Sequence, residues 1–302
     1  MSSVIHVVIS VVGWLVFAPL IPGVINRVKA WVAGRKGPPL LQLYYDLARL
    51  WRKEVVLSTA VSPAHVAGPA VAFVSILGAA LLLPIGQAGA PLSFEGDAVL
   101  FVYLLALARF CMAGAALDTG SAFEGMGAAR EVSYAVLAEA AVITALLVLG
   151  VQTGSVSLTR MLAPAAGPGT ALLAAGLFMV LLAENCRVPF DDPNTHLELT
   201  MVHEAMVLDH SGPPLAVILH GAALKLLVFC VLLTEAVVPL GNVSPVLVAA
   251  TLIAAVLVTA AGVGLVESLQ ARVAFRRVPL LLTTAFLLCL FALMIAWERN
   301  PL

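Results

Sequence analysis

Apolar residues fall in eight blocks, at about 4–26, 66–86, 98–117, 134–152, 170–189, 214–240, 245–267 and 279–297. At a helical rise of about 1.5 Å per residue, some 20 apolar residues cross the hydrocarbon layer of a bilayer. The pattern predicts an all-α, polytopic transmembrane bundle of about eight helices, one integral membrane domain over 1–302. The first block, Val4 to Ile25, lies where a secretory leader would. No basic residue precedes it, however, it is long enough to span, and no A-x-A-like site follows, so it reads as the first membrane helix.

The stretch from Arg27 to His65 is too long for an idle loop. Leu40, Leu43, Tyr44, Leu47, Leu50 and Trp51 recur in it at helical spacing, with Asp46, Arg49, Arg52 and Lys53 largely off that stripe. This predicts an amphipathic helix over about 39–57 lying in the membrane interface, either as a lipid anchor or as a shelf for another subunit. The connections after even-numbered blocks are short by comparison.

Lys and Arg orient the bundle. Arg27, Lys29, Arg35, Lys36, Arg49, Arg52 and Lys53 follow the first block, and Arg109, Arg130, Arg187, Arg272, Arg276 and Arg277 flank the other odd-numbered connections. Only Arg160 and Arg299 lie on the other side, and thirteen against two predicts odd connections in the cytoplasm and both termini outside.

Composition agrees with that picture and narrows the function classes. Hydrophobic residues make up 62% and charged residues 11%, with a mean hydropathy of +1.06. So apolar a chain needs lipid to solvate much of its surface. A net charge of −1 gives no reason to expect nucleic acid as a partner. Cys111, Cys186, Cys230 and Cys289 are scattered singly with no C-x-x-C, so redox metals are expected on other subunits and the thiols are expected to be buried and free.

Charge within the apolar blocks is the candidate chemistry, because it costs several kcal/mol per group unless paired or hydrated. Lys225 lies deep in the sixth block, where it needs a carboxylate or water. Glu139 lies in the fourth block, Glu267 near the cytoplasmic end of the seventh, and Glu235 near the outer end of the sixth. Static interhelical pairing suits Glu235 best. His220 precedes Lys225 by five residues, which points the two about 140° apart.

The densest polar segment runs from Glu184 through Asn185, Arg187, Asp191 and Asp192, interrupted by Pro189 and Pro193. Thr195 and Glu198 form a T-x-x-E capping box, predicting a new helix that ends near Ser211-Gly212, within a polar cytoplasmic unit over about 190–212. His196, His203 and His210 would share one face of it. Val207 breaks the H-E-x-x-H pattern begun by His203-Glu204, so no zinc peptidase is expected. A polar helix lining a hydrated cavity, with His and carboxylates relaying protons, suits these residues better than a metal site.

These residues resemble the membrane subunit family shared by energy-converting nickel–iron hydrogenases, formate hydrogenlyase (subunit 4 type) and respiratory complex I (subunit 1 type). Three blocks in order carry the resemblance over nearly the whole chain. The first is Arg35-Lys36-Gly37-Pro38 with Gln42 and Asp46. The second holds Arg109, Asp118 with Thr119-Gly120-Ser121, Arg130-Glu131 and Glu139, and looks like the hydrogenase branch. The third runs from Glu184 through Asp191, with Glu198 and Asp209-His210-Ser211-Gly212; Lys225, Glu267 and Arg272 also fall at matching places.

The resemblance implies a non-catalytic subunit that docks a hydrophilic arm and couples electron transfer to proton or sodium movement. It implies proton transfer by Glu131, Glu139, Glu184, Asp191, Asp192, Glu198, His203, Glu204, Asp209, Lys225 and Glu267. Docking is expected at Arg35, Lys36, Gly37, Pro38, Gln42, Asp46, Arg109, Asp118, Arg130, Arg187 and Arg272. The partners implied are hydrogenase-like large and small subunits, an iron–sulfur subunit, antiporter-like membrane subunits and the lipid bilayer. The nickel–iron centre and iron–sulfur clusters are expected on those partners, with no cofactor bound by this chain. Where relatives carry three loop glutamates, Asn194 and His196 stand in two of the places, and about three extra residues follow near Met201-Val202-His203-Glu204. The remodelled loop speaks against a quinone site. The alternatives are a quinone-site subunit of an NADH dehydrogenase-type complex, a stand-alone secondary transporter, and a purely structural anchor.

Overall fold

Proline punctuation and apolar length together set the helices. The computed structural model describes residues 2–86, 89–162, 167–191, 201–238 and 244–299. Its helices are α1 (Ser2–Phe17), α2 (Leu20–Val32), α3 (Gln42–Leu50), α4 (Pro63–Leu81), α5 (Asp97–Asp118), α6 (Ala122–Thr153), α7 (Leu158–Met161), α8 (Pro168–Glu184), α9 (Gly212–Val237), α10 (Pro245–Leu269) and α11 (Val278–Arg299). Among the described residues there is no strand. Seven helical stretches are long and apolar enough to cross a bilayer, α1 and α2 together forming the first, and the shorter apolar helix Gly169–Glu184 makes an eighth element. Pro19 interrupts the first span because it has no N–H to donate to the preceding turn. The chain is therefore a multi-pass, all-helical membrane protein.

Helix α9 sits at the centre. Apart from His220, Lys225 and Glu235 it is apolar on every side, as expected of a helix with little solvated face, and α4, α8, α10 and α3 pack against it. Around it α4 pairs with α5, α11 lies across α6 and α8, and α10 lies on α2. Small residues allow the closest approaches. A Cβ added at Gly68 of α4 would lie 2.7 Å from the Cys111 carbonyl oxygen and 2.7 Å from the Ala115 Cβ on α5. Such packing matters in a bilayer because lipid tails are as apolar as the helices and do not drive them together.

Three boundaries differ from the sequence expectation. Helix α6 starts at Ala122, about three turns before the apolar block at 134; Ala, Glu and Arg in that stretch interrupt the apolar run but favour the helix. The amphipathic helix spans nine residues, Gln42–Leu50, instead of 39–57. Leu47 and Leu50 bury against Ala216 of α9, whereas Leu40 and Trp51 are exposed. The helix predicted to run to Ser211 is absent over 201–211, where one 3₁₀ turn, Glu204–Val207, replaces it. Side chains take the backbone donors there: Val202 N–H goes to Asp191 Oδ2 at 3.1 Å and Asp209 N–H to Glu124 Oε1 at 3.0 Å. The capping box at Thr195 and Glu198 lies outside the described residues, as do Asp192, Asn194 and His196.

The four odd connections meet at one end of the bundle. Ser211 Oγ accepts from Val56 N–H at 2.9 Å, Asp118 from Ser62 N–H at 2.7 Å, and Pro189 O from Val273 N–H at 3.0 Å. Gly212 opens α9 at φ +56°, and a Cβ there would stand 2.7 Å from the Glu54 carbonyl oxygen. Glycine alone suits both the left-handed backbone and the contact. At the other end, buried Asp97 accepts from Leu158 N–H at 2.6 Å and Ser157 Oγ at 3.2 Å. The Glu235 carboxylate accepts from Gly86 N–H at 2.7 Å. Glu235 thus holds a loop through a backbone N–H, and among the described residues it forms no interhelical ion pair of the kind expected.

Candidate functional site

Arg109, halfway along α5, is the hub of the bundle's charge. Its guanidinium bonds Glu139 of α6 and lies 3.6 Å from Glu131 on the same helix. It also bonds both oxygens of Glu184 at the end of α8, at 2.6 and 2.7 Å. From the other side Lys225 Nζ of α9 stands 2.8 Å from Glu184 Oε2. Glu139, Arg109, Glu184 and Lys225 therefore form a continuous row across α6, α5, α8 and α9. Side-chain exposure is 8% at Arg109 and 3% at Glu184, but 36% at Glu139. The row begins at the flank of the bundle and ends in its core. The planar guanidinium turns Nη2 to Glu184, Nη1 to Glu139 and Nε to Glu131, a fixed spread that a point charge would leave loose.

Two further groups of charges lie toward the connections. Glu267 of α10 pairs with Lys29 of α2 at 2.8 Å and with Arg187 at 3.5 Å. Asp191 pairs with Arg272 at 3.0 Å. Arg272 and Arg130 both stack on the Phe275 ring, 4.8 and 4.6 Å from its centroid, and Arg130 donates to the Met201 carbonyl at 2.9 Å. The chain enters this region through Cys186, which turns at φ +49° immediately after α8. Burial, with the Glu131 carboxylate 3.8 Å from its sulfur, pushes the Cys186 thiol well above its ordinary pKa.

A cavity of about 260 Å³ adjoins the row. Leu43, Phe73, Met112 and Leu219 give it apolar walls, while Arg109, Glu184 and Lys225 line one part and His203 and Glu204 another. A smaller chamber of about 30 Å³ lies between Arg109, Glu131, Tyr134 and Asp191. That is room for one or two water molecules among polar partners.

Several expected proton-transfer residues thus converge: Glu131, Glu139, Glu184 and Lys225 in the row, Asp191 beside the small chamber, and His203 and Glu204 on the cavity wall. Glu267 is buried in its own cluster. The Asp209 side chain is exposed, and its backbone N–H is held by Glu124. Asp192 and Glu198 lie outside the described residues. The residues expected to dock a partner divide in two. Arg35, Lys36 and Pro38 are exposed near half-buried Gly37, and Gln42 bonds Asp46 within α3 at 3.1 Å. Arg109 belongs to the buried row; a guanidinium committed to three carboxylates of its own chain is not available to another subunit. Arg130, Arg187 and Arg272 likewise hold partners within the chain, and Asp118 holds the Ser62 backbone.

Sequence reasoning missed Lys29, which it counted only as an interfacial charge, and Tyr134, Glu124 and His65. Their positions on apolar or amphipathic runs carry no signal of which carboxylate, chamber or ring they meet. His220 and Lys225 do serve separate surroundings: the imidazole lies 3.0 Å from the Leu15 carbonyl oxygen and edge-on to Phe73. All four cysteines are free, Cys230 and Cys289 fully buried and Cys111 and Cys186 partly so.

Residues 4–298 match the family model for NADH dehydrogenase. The chain is 33% identical to hydrogenase-4 component C of Escherichia coli K12 over 236 residues, 76% of this chain and 73% of that one. It is 30% identical to formate hydrogenlyase subunit 4 of the same organism over 247 residues, 80% and 79% of the two. A chain in the membrane-bound sulfane sulfur reductase, an archaeal respiratory membrane complex, has the same fold at a TM-score of 0.83, with 18% identity and coverage of 98% of this chain and 100% of that one.

Proposed function

The chain belongs to the NADH dehydrogenase family, and from that premise we propose that it is the membrane-anchoring, proton-path subunit of a hydrogenase-type, complex I-like redox complex. The observation that carries the reading is the row Glu139–Arg109–Glu184–Lys225 beside the cavity. Four charged groups are tolerated in an apolar bundle because they are paired with one another, and a row that alternates in sign can pass a change of charge along its length. When Lys225 moves away from Glu184, that carboxylate has lost a cation in apolar surroundings and becomes a proton acceptor; when Lys225 returns, the proton is expelled. Arg109 keeps the carboxylates close enough for each to feel its neighbour's state. A redox event in a docked partner drives the cycle by shifting the 203–207 turn or the Asp191–Arg272 pair.

The exposed basic stretch at Arg35 and Lys36 then meets the hydrophilic arm. The partner classes are hydrogenase-like large and small subunits, an iron–sulfur subunit and antiporter-like membrane subunits. The nickel–iron and iron–sulfur chemistry resides on them, and the translocated ion is a proton or sodium. The odd connections face the cytoplasm of a cell membrane. The test is electron-transfer-driven ion uptake into inverted vesicles carrying Glu184→Gln. Uptake should fall on the order of 10²-fold, the scale of a lost proton-transfer group, while the complex still assembles and turns over electrons. Undiminished uptake refutes the reading.

The apolar walls of the cavity favour one second reading, a quinone-type ligand whose head would reach the Arg109–Glu184 end. Quinone-site inhibitors acting on electron transfer in the intact complex would support it. Their failure, with uptake still dependent on Glu184, leaves the first reading alone.

A further inference from the structure

One buried pair lies outside the ion-pair row and is given no role by it. The imidazoles of His65 and His210 stack face to face, with centroids 4.0 Å apart and planes 5° from parallel. His65 is 1% exposed and His210 5%. His65 stands at the start of α4 with Nδ1 3.3 Å from the Ala115 carbonyl oxygen of α5. Neither ring nitrogen of His210 has a hydrogen-bond partner among the described residues.

The pair sits where all the parts of that end of the bundle are joined. His210 directly precedes Ser211, whose hydroxyl exchanges hydrogen bonds with the Val56 backbone at 2.9 and 3.2 Å. Asp209 N–H is held by buried Glu124 of α6. Asp118 of α5 holds Ser62 N–H, three residues before His65. Among the described residues the charged groups facing the pair are Asp118 from α5 and Glu124 from α6, both acting on His65, with Asp209 of the connection facing Glu124. The Lys53 and Glu54 backbone lies against Gly212. The same connection carries His203, Glu204, Met206 and Val207, which line the large cavity.

We propose that the His65–His210 stack is a proton-released latch that holds the 201–211 connection against α4 and so closes one wall of the cavity. Two neutral rings stack without penalty. A proton on His210 places a charge in a buried site that offers its ring nitrogens no acceptor among the described residues, flat against a second buried imidazole. Burial and the neighbouring His65 push the His210 pKa down, to about 4, whereas an opened, hydrated His210 titrates near 6.5. Linkage then gives the sign. Between those two values the open form binds the extra proton and the closed form does not, so lowering the pH favours opening by up to about tenfold per pH unit. Above about pH 6.5 the latch stays shut. The inference stands whether or not the ion-pair row moves protons.

The test is backbone hydrogen exchange of the full chain in native membranes, read by mass spectrometry on the 201–211 segment and corrected for the intrinsic pH dependence of exchange. Wild type should lose at least about tenfold of its protection between pH 7.5 and 5.0. His210→Phe, which keeps a flat ring but cannot take a proton, should show equal protection at both. Equal protection in wild type, or the same loss in His210→Phe, overturns the proposal. Exchange of the imidazole C2 hydrogen in wild type gives a reading independent of any variant. A His210 midpoint well below 6 supports the latch, and a freely exchanging His210 with a midpoint near 6.5 overturns it.

Discussion

Lys225 Nζ stands 2.8 Å from Glu184 Oε2, joining the central helix α9 to the end of α8. A lysine eleven residues or so into an apolar helix cannot reach the membrane surface, so this contact decides its state. Glu184 is at the same time gripped by Arg109 at 2.6 and 2.7 Å. Two cations on one carboxylate make the lysine the replaceable partner.

Removing Lys225 should therefore spare assembly. Lys225→Met leaves Glu184 paired with Arg109, and the complex should purify intact. Ion uptake in inverted vesicles should drop on the order of 10²-fold, with Lys225→Arg restoring part of it. Uptake equal to wild type in the methionine variant would remove Lys225 from the path.

Removing Arg109 should be worse for the fold. Arg109→Met leaves Glu131, Glu139 and Glu184 facing one another with Lys225 as the remaining cation of the row. Breaking buried pairs this way costs about 3–5 kcal/mol. A thermal-unfolding scan of the detergent-solubilised chain should show a large fall in midpoint, and Arg109→Lys should recover little of it because an ammonium lacks the planar spread of nitrogens that faces three carboxylates at once.

The α4–α5 contact should tolerate nothing larger than glycine at one place. Gly68→Val puts branched carbons where even a Cβ would come 2.7 Å from a backbone oxygen. Overpacking of this kind costs about 1–3 kcal/mol, read as a lower unfolding midpoint, whereas Gly114→Ala, with open space around it, should leave the midpoint unchanged.

Cys186 should be a poor nucleophile. With its thiol held well above the ordinary value by burial and by Glu131, the thiolate is scarce at pH 8, and maleimide labelling should run at least about tenfold slower than for an exposed cysteine. Labelling at the exposed rate would show that the loop after α8 opens in solution.

Sidedness can be read directly. Ser58→Cys lies in an exposed odd connection and Glu95→Cys in an exposed even one. An impermeant thiol reagent should reach the first only from the cytoplasmic face and the second only from outside. The reverse pattern would invert the orientation drawn from the basic residues.

The spans, the resemblance of the three motif blocks and the need for a partner at Lys225 were all legible in the chain. Apolar length and the cost of a buried charge are local facts. The missed features share a different origin. The helix predicted across 201–211 gives way to a 3₁₀ turn because the side chains of Asp191 and, from α6, Glu124 take its amide hydrogens. The amphipathic helix ends at Leu50, which with Leu47 buries against Ala216, and the exposed Trp51 beyond it has no such packing. Arg109 looked like a docking residue because its motif lies beside a connection, and only packing turns it inward.

Sequence alone thus determined that this protein lives in a bilayer, roughly where its apolar helices fall and which of its charges need company, since hydration and helix length depend on neighbours along the chain. Tertiary structure decided which carboxylate each cation meets, where the cavity opens and which two histidines stack, because ionic and stacking contacts act over a few ångströms between residues as far apart in the chain as Lys29 and Glu267 or His65 and His210.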